Sequence, residues 1–335
     1  MQMKNISFRI AVLYLCASVC LITIGWYAHG RYLGLRSPLR ERRVKASGFH
    51  FTSPLLDVEL PEGLSIQSEP LPFKYKVVDL VKRKIDGAVV QNVAVYYRDL
   101  GDGPWFGIND NLEFNPASMM KVPVMVAWLK RAEKAPAILN KTFQFDGAVD
   151  MSAIQGYKPR QTLEAGRTYT VEKLIEYMMS FSDNNATSVL FNNLRTEELN
   201  SVLDGMDITN RPGDGNNSTT IHGYSGFFRI LYNASFLSRE MSERALYLMS
   251  HEDFPEGISA GVPKGTTVSA KFGEFDGGIH GGNKQLHEFG IVYHPKGNYI
   301  LGVMTQGNDF RKQSEVIREI SALIYREVDT GAIIK

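Results

Sequence analysis

The sequence predicts an α+β fold in which an antiparallel five-stranded sheet is flanked by N- and C-terminal helices and carries an inserted all-α lobe. Three patterns within 73–335 support this prediction. Apolar residues recur at helical spacing at both ends of the region. Strand-like runs form a group of two and a group of three, and a mainly helical stretch of about 134–255 separates the groups. A ligand site between the sheet and the inserted lobe is therefore expected.

The N-terminal elements follow from local patterns. Apolar residues at helical spacing from Val77 to Ile85 predict the first helix. The run "NVAVYYRDL" then alternates as a strand, and "GDGPWFGIND" makes a turn into a second strand. A second helix is expected from Val122 to Lys130.

The inserted lobe and the C-terminal part are patterned as regularly. The runs "TVEKLIEYMMSF", "NNATSVLFNNL" and "HGYSGFFRILYNASFL" are apolar-striped helices, and Thr170 and Ser238 are well placed as N-caps. Three strands follow in "TTVSAKFGEF", "EFGIVYHP" and "NYILGVMTQ". The final helix is expected from about Ser314 to Arg326.

The N-terminal part contains one long apolar segment. Residues 10–28, "IAVLYLCASVCLITIGWYA", carry no charge over 19 residues, about the length of a bilayer-spanning helix. Residues 1–30 are therefore expected to be a signal anchor, with a cleaved signal peptide as the alternative. Residues 31–72 are basic and then contain Pro and Ser, as in a spacer. Both cysteines, Cys16 and Cys20, lie in the apolar segment, so the remaining chain forms no disulfide.

The overall charge gives no indication of a nucleic-acid partner, and none is expected. The 335 residues include 37 basic and 36 acidic side chains, and the net charge of +1 gives no argument for nucleic acid. The seven histidines show no H-E-x-x-H pattern and have no cysteine partners outside the apolar segment, so no metal site is expected. A structural role is expected for His222 and His280. We expect the folded part to be a monomeric domain.

A serine and a lysine stand three residues apart in "FNPASMMKVPVMVAWLK". Ser118 and Lys121 would share one face of a helix that starts behind Pro116, near free backbone N–H groups. A solvated amphipathic helix, an anion site and a nucleophile with its base are the three interpretations. The apolar residues around the pair are not typical of a solvated helix face.

Two further short motifs follow in the chain. The triplet "SDN" at residues 182–184 interrupts two apolar helical stretches and, taken alone, is a capped helix junction. The triplet "KFG" at residues 271–273 lies in a strand-like run and, taken alone, places an ordinary lysine on an edge strand.

Together, and in this order, the three motifs resemble those of the serine β-lactamase (class A) and penicillin-binding-protein superfamily, which uses S-x-x-K, S-x-N and K-[ST]-G. The stretches "YTVEKLIEYMMSFSDNNATSVLF" and "ISAGVPKGTTVSAKFGE" are also similar to the surroundings of the second and third motifs. The resemblance covers about 75–327. It implies a serine hydrolase without a cofactor, acting on a β-lactam or a D-Ala-D-Ala-like peptide of peptidoglycan.

The resemblance also implies a role for each motif residue. Ser118 would attack the carbonyl and become acylated, with a neutral Lys121 as its base, within a hydrogen bond of the Ser118 hydroxyl. Lys271, a further catalytic residue by this resemblance, would enter the same cleft as Ser182, and its positive charge together with burial would lower the pKa of Lys121. Ser182 would relay the proton to the leaving nitrogen, and Asn184 would hydrogen-bond the substrate amide.

The third motif departs from the family pattern. The oxyanion hole would consist of the backbone N–H groups of Ser118 and Glu274, beside Gly273. Phe272 replaces the hydroxyl residue that helps to bind a substrate carboxylate, and Glu274 adds a negative charge nearby. Weak binding of a substrate carboxylate is therefore expected.

A second departure concerns removal of the acyl group. The region "MDITNRPGDGNNSTTIHGYSGFF" contains no glutamate that would correspond to the family's E-x-x-L-N loop, and "EELN" at Glu197–Asn200 has the wrong spacing. Because losing a general base reduces a rate about 10²–10⁴-fold, slow deacylation is expected. The alternative is a receptor that stays acylated, or a degenerate binding domain.

The two indications of location disagree. The family's chemistry implies an anchored domain on the periplasmic or cell-wall side of a bacterial membrane. Six basic residues between Arg31 and Lys45 follow the apolar segment, and the positive-inside tendency would place that flank in the cytoplasm. The sequence leaves both orientations open.

Overall fold

The computed structural model describes residues 50–53, 71, 73–101, 103–153, 155–204, 218–277 and 282–331. All of them belong to one compact unit, Ala46–Leu56 with Ser65–Lys335. The predicted anchor at 1–30 and most of the predicted spacer lie outside these residues. Within the described ranges, no helix is both long and apolar enough to cross a bilayer.

Eight helices and nine strands are present in the described part of the chain. The helices are α1 Lys74–Asp86, α2 Lys121–Lys134, α3 Val171–Ser180, α4 Asn184–Asn192, α5 Thr196–Asp204, α6 Ile221–Tyr232, α7 Arg239–Met249 and α8 Phe310–Asp329. The strands are β1 Asn92–Asp99, β2 Trp105–Ile108, β3 Glu113–Phe114, β4 Thr142–Gln144, β5 Thr168–Thr170, β6 Thr219–Thr220, β7 Val268–Phe275, β8 Lys284–Val292 and β9 Tyr299–Gly307. Short 3₁₀ turns cover Ala117–Met120, Pro136–Asn140 and Ile258–Gly261.

The main sheet confirms the predicted fold class. Its strand order is β2-β1-β9-β8-β7, and every neighbouring pair is antiparallel. The pairs β3-β6 and β4-β5 form two further small sheets that the sequence patterns did not predict. These strands have two or three residues each, too few for an alternating pattern to be visible.

Alternation along β1 distributes its side chains over two cores. Tyr96 belongs to a core that also contains Trp128 of α2 and Phe228 of the helical lobe. Tyr97 belongs to a second core, to which both terminal helices contribute. Helix α1 contributes Val77, and α8 contributes several apolar residues. Because both faces of the sheet are buried, the central strands show no polar face.

Side-chain caps are present at several of the helix starts. The hydroxyl of Thr170 accepts the Lys173 N–H, and the hydroxyl of Ser238 accepts the Met241 N–H, so both predicted N-caps are confirmed. The last helix begins at Phe310, earlier than predicted, because the Asp309 carboxylate caps it. Its first turn lacks the apolar spacing used for the prediction.

A short piece of the predicted spacer, residues 50–53, packs on the helical lobe. The Glu243 carboxylate accepts the backbone N–H groups of His50, Phe51 and Thr52. The Ser53 N–H donates to the Tyr232 carbonyl at 2.7 Å. Residues 50–53 are therefore part of the folded domain.

Candidate active site

Ser118 lies in the 3₁₀ turn that precedes α2. Ala117 has a φ of +47°, an uncommon value for a residue with a side chain. The Ala117 N–H donates to the Asn115 side-chain oxygen at 2.9 Å, and the Tyr224 hydroxyl donates to the Met119 carbonyl at 2.8 Å. Contacts on both sides thus fix the turn that presents Ser118.

Lys121 is the first residue of α2, and its side chain is almost completely buried. Its ammonium nitrogen lies 3.0 Å from the Ser182 hydroxyl, 2.6 Å from the Ser182 carbonyl and 2.8 Å from the Asn184 side-chain oxygen. The sequence-based expectation placed this nitrogen in a hydrogen bond with the Ser118 hydroxyl. The structure corrects this expectation, because Ser182 and Asn184 occupy the nitrogen's hydrogen-bonding positions.

The surroundings of Lys121 favour its neutral form. Burial lowers the pKa of Lys121 well below its usual value, and the positive charge of Lys271 lowers it further. The carboxyl groups of Asp183, Glu252 and Glu274 act in the opposite direction with smaller effect. A lowered pKa is what a lysine needs to act as a base near neutral pH.

The second motif forms a strained junction between α3 and α4. Ser182 has a φ of +55° and is buried. Asp183 supports it, because its carboxylate accepts the N–H groups of Leu163 at 3.0 Å and Asn185 at 2.8 Å. The left-handed backbone brings both the carbonyl and the hydroxyl of Ser182 within reach of Lys121.

Gln155 is a site residue that sequence reasoning missed. Its amide nitrogen donates to the Ser182 carbonyl at 2.9 Å, and its amide oxygen accepts the Asn184 N–H at 3.0 Å. It stands in an irregular stretch with no motif, so only its position in the fold identifies it.

Lys271 does not enter the cleft, contrary to the sequence-based expectation. Its side chain is 0% exposed, and its nitrogen lies 2.7 Å from a carboxylate oxygen of Glu252. The same oxygen accepts the Phe272 N–H at 2.7 Å. Glu252 is outside every motif, and it neutralises Lys271 because a buried charge needs a partner. The influence of Lys271 on Lys121 is electrostatic.

Strand β7 is an edge strand of the main sheet and packs against the turn that holds Ser118. A Cβ at Gly273 would lie 2.6 Å from the Pro116 carbonyl oxygen, so only glycine permits this approach. The Phe272 N–H points away from β8, towards Glu252. Alternate residues of a strand orient their N–H groups alike, so the Glu274 N–H also points to the unpaired edge.

A cleft opens between these elements. It encloses about 140 Å³, less than the roughly 300–1,000 Å³ of pockets that hold drug-sized ligands. The described residues that line it are Ser118, Gln155, Gly156, Ser182, Asn184, Phe272, Glu274, Phe275, Asp276 and Phe310. The cleft thus brings together residues of all three motifs, with the Lys121 amine behind Ser182.

The remaining candidates lie away from this chemistry. His222 packs against Tyr96 and Trp105, and His280 lies outside the described residues. Glu198 pairs with Arg131 and Arg195 on the helical lobe. No group of side chains suited to a metal ion occurs in the described ranges.

Comparison with known proteins identifies the family. A model described as "Beta-lactamase enzyme family" matches residues 77–328, which is most of the chain. The chain belongs to this β-lactamase enzyme family. The family match and the fold assign it to the β-lactamase-like serine hydrolases.

Solved structures with the same fold support this family assignment. An acyl-enzyme complex of a PBP-A mutant with penicillin G is 24% identical, with a TM-score of 0.64 over 78% of this chain and 98% of that one. A β-lactamase from Sphaerobacter thermophilus is 20% identical, with a TM-score of 0.65 and the same coverage. A class A β-lactamase from Mycobacterium abscessus is 18% identical, with a TM-score of 0.63 over 76% and 98%. The search of curated proteins gives no match.

Proposed function

We propose that this β-lactamase family member is a serine acyl-hydrolase that β-lactams or D-Ala-D-Ala-like peptides acylate at Ser118, and that it releases the acyl group slowly. One observation carries the proposal. The buried Lys121 amine, whose pKa is lowered, contacts at 3.0 Å the hydroxyl of Ser182, and Ser182 lines the same cleft as Ser118.

The proposed acylation transfers one proton. The Ser118 oxygen attacks the carbonyl carbon while its proton passes to the neutral Lys121 amine. That proton reaches the leaving nitrogen through the Ser182 hydroxyl as the carbon–nitrogen bond breaks. The Lys121–Ser118 contact would form on substrate binding, since catalytic hydrogen bonds often tighten only in the complex.

Backbone groups stabilise the proposed tetrahedral intermediate. Its oxyanion lies between the N–H groups of Ser118 and Glu274, because the close packing at Gly273 brings the edge of β7 to the nucleophile's turn. Asn184 stays within reach of a substrate amide, because its side chain lines the cleft.

Slow deacylation follows from the missing base. Residues 206–228 contain no glutamate, and the described carboxylates in the cleft wall are Glu274 and Asp276. Glu274 accepts the Tyr157 N–H. Among the described residues, none of the side chains that line the cleft is therefore a free glutamate of that loop, and the loop's sequence offers none to activate water.

A fluorescent penicillin tests the proposal. The wild type is expected to acquire one label per chain, located at Ser118 by peptide mass spectrometry, whereas Ser118→Ala stays unlabelled and folded. Label on both proteins, or on neither, would contradict the proposal.

The fate of the label separates hydrolase from receptor. Decay over minutes to hours supports a slow hydrolase. A label that persists through repeated dialysis supports the alternative, a receptor that stays acylated, which the missing glutamate also favours.

We further propose that the apolar segment 10–28 anchors the domain on the periplasmic or cell-wall side of a bacterial membrane.

A further inference from the structure

The two buried lysines next to the cleft already have partners. Lys271 is paired with Glu252 at 2.7 Å, with exposed side-chain fractions of 0% and 4%. Lys121 is held by oxygen atoms of Ser182 and Asn184. Neither lysine therefore offers an unmatched positive charge to an anionic substrate group.

The cleft wall itself carries negative charge. Glu274 lines the cleft, and its carboxylate accepts the Tyr157 N–H. No cationic side chain of the described ranges lies within salt-bridge distance of that carboxylate. Asp276 adds a second carboxyl group to the lining.

Three cations of the described residues follow lining residues closely in the chain or contact one of them, and each has contacts of its own. Lys284 lies over the ring of Phe310 at 5.0 Å. Arg160 pairs with Asp253 at 2.9 Å, and Lys158 donates to backbone carbonyls of its own loop. Among the described residues that line the cleft, the charged ones are Glu274 and Asp276, so the wall offers a substrate carboxylate like charges and no cation.

We infer that this cleft selects acyl donors whose leaving group is neutral or cationic, and that Glu274 sets this preference. The inference rests on the proposed acylation of Ser118. The leaving group must receive its proton from Ser182, and Phe272 and Glu274 line the same narrow cleft. An anionic leaving group would be held close to the Glu274 carboxylate in a site partly shielded from water, where like charges repel strongly.

Penicillin G and its methyl ester provide a matched pair of donors. Both carry the same acyl group and strained amide, and the carboxyl group lies on the ring of the leaving nitrogen. The second-order rate of Ser118 acylation is measured by intact-protein mass spectrometry. The ester is expected to react at least about tenfold faster than the acid. A 2-aminoethyl amide, which is cationic, is expected to react at least as fast as the ester.

Variants assign the effect to one side chain. Glu274→Gln removes the charge and keeps an oxygen for the Tyr157 N–H, so the ratio of ester to acid rates is expected to fall to within about threefold. Glu256→Gln is the control, because it removes a carboxylate that is close enough to act on Tyr157 but does not line the cleft. The ratio is expected to stay at its wild-type value in this control.

Binding gives a second measure that needs no chemistry. Titration calorimetry on Ser118→Ala is expected to rank the ligands in the same order. If the acid labels Ser118 as fast as the ester, the inference fails and the proposed function stands. If the acid binds Ser118→Ala as tightly as the ester, the inference also fails. If no ligand labels the wild type, the proposed function fails and the inference falls with it.

Discussion

At the scale of single residues, the proposed chemistry depends on the buried environment that lowers the pKa of Lys121. The fold removes the amine from water, and Lys271 contributes a positive charge nearby. Both effects oppose protonation, and burial is the larger. The same lysine on an exposed helix face would remain charged and could not serve as a base.

Lys121→Met tests this role directly. Methionine preserves the apolar length of the side chain but has no amine, so the acylation rate is expected to fall about 10²–10⁴-fold. The rate of labelling with the most reactive penicillin derivative measures the loss, and circular dichroism checks folding. A well-folded variant that labels at the wild-type rate would exclude Lys121 as the base.

The pH dependence of stability reports the same pKa. Because the folded-state pKa of Lys121 is lowered from 10.5, the unfolded state binds more protons between the two values. The free energy of unfolding therefore gains a contribution that rises with pH through this window, by at most about 1.36 kcal/mol per unit. Urea unfolding at several pH values is expected to show this rise in the wild type, and a smaller one in Lys121→Met. Equal slopes would argue against a lowered pKa.

At the scale of elements, the site depends on the packing of β7 against the Ser118 turn. Gly273→Ala places a methyl group within 2.6 Å of the Pro116 carbonyl oxygen, so strand and turn must separate. We expect a loss of about 1–3 kcal/mol in the free energy of unfolding, as for other overpacked sites. We also expect slower acylation, because the oxyanion donors move apart. Wild-type stability and labelling would show that this close approach is not required.

His287 connects β8 to the segment before the nucleophile. Its ring contacts the Asn115 carbonyl at 3.0 Å and the Thr305 N–H at 3.3 Å, and burial lowers its pKa to about 3. Below pH 6.5, His287 becomes protonated in the unfolded state but stays neutral in the folded state until the pH reaches about 3. The free energy of unfolding therefore falls as pH drops from 6.5 to about 3.

His287→Gln keeps a donor and an acceptor but cannot take up this proton. Between pH 6 and 4, the loss of stability is expected to be shallower than in the wild type by about 1 kcal/mol per pH unit. Denaturant titrations at pH 7, 5.5 and 4 provide the comparison. An unchanged acid slope would mean that another group controls acid unfolding.

At the scale of the whole molecule, the inserted lobe makes the site possible. The sheet supplies β7, and the lobe supplies the junction with Ser182 and Asn184. The turn with Ser118 precedes α2, the helix that the lobe packs around. No single element holds more than one motif, so the cleft exists only when sheet and lobe are folded together.

The orientation in the membrane is also a property of the whole chain. If residues 10–28 are an anchor with the domain outside the cytoplasm, alkaline phosphatase fused to the C-terminus is expected to be active in a bacterial host. A fusion that lacks residues 1–30 is the control and is expected to be inactive. An inactive full-length fusion would show that the basic flank after the apolar segment decides the orientation.

The sequence by itself determined the fold and the family. Periodicity distinguished helices from strands, and the order of three short motifs indicated the β-lactamase-like fold, which the sheet order and the family match confirm. These features are local, so a pattern of neighbouring residues is sufficient to encode them. The roles of Ser118, Lys121, Ser182 and Asn184 stay predictions, although the fold brings them to one site.

Only the tertiary structure decided which groups meet. The pairing of Lys271 with Glu252, the part of Gln155 and the left-handed backbone at Ser182 appear in no motif. The partner of a buried charge depends on distances between segments remote in sequence, which periodicity does not encode. For this reason the motif predicted Lys271 in the cleft, whereas in the folded chain its nitrogen pairs with the Glu252 carboxylate.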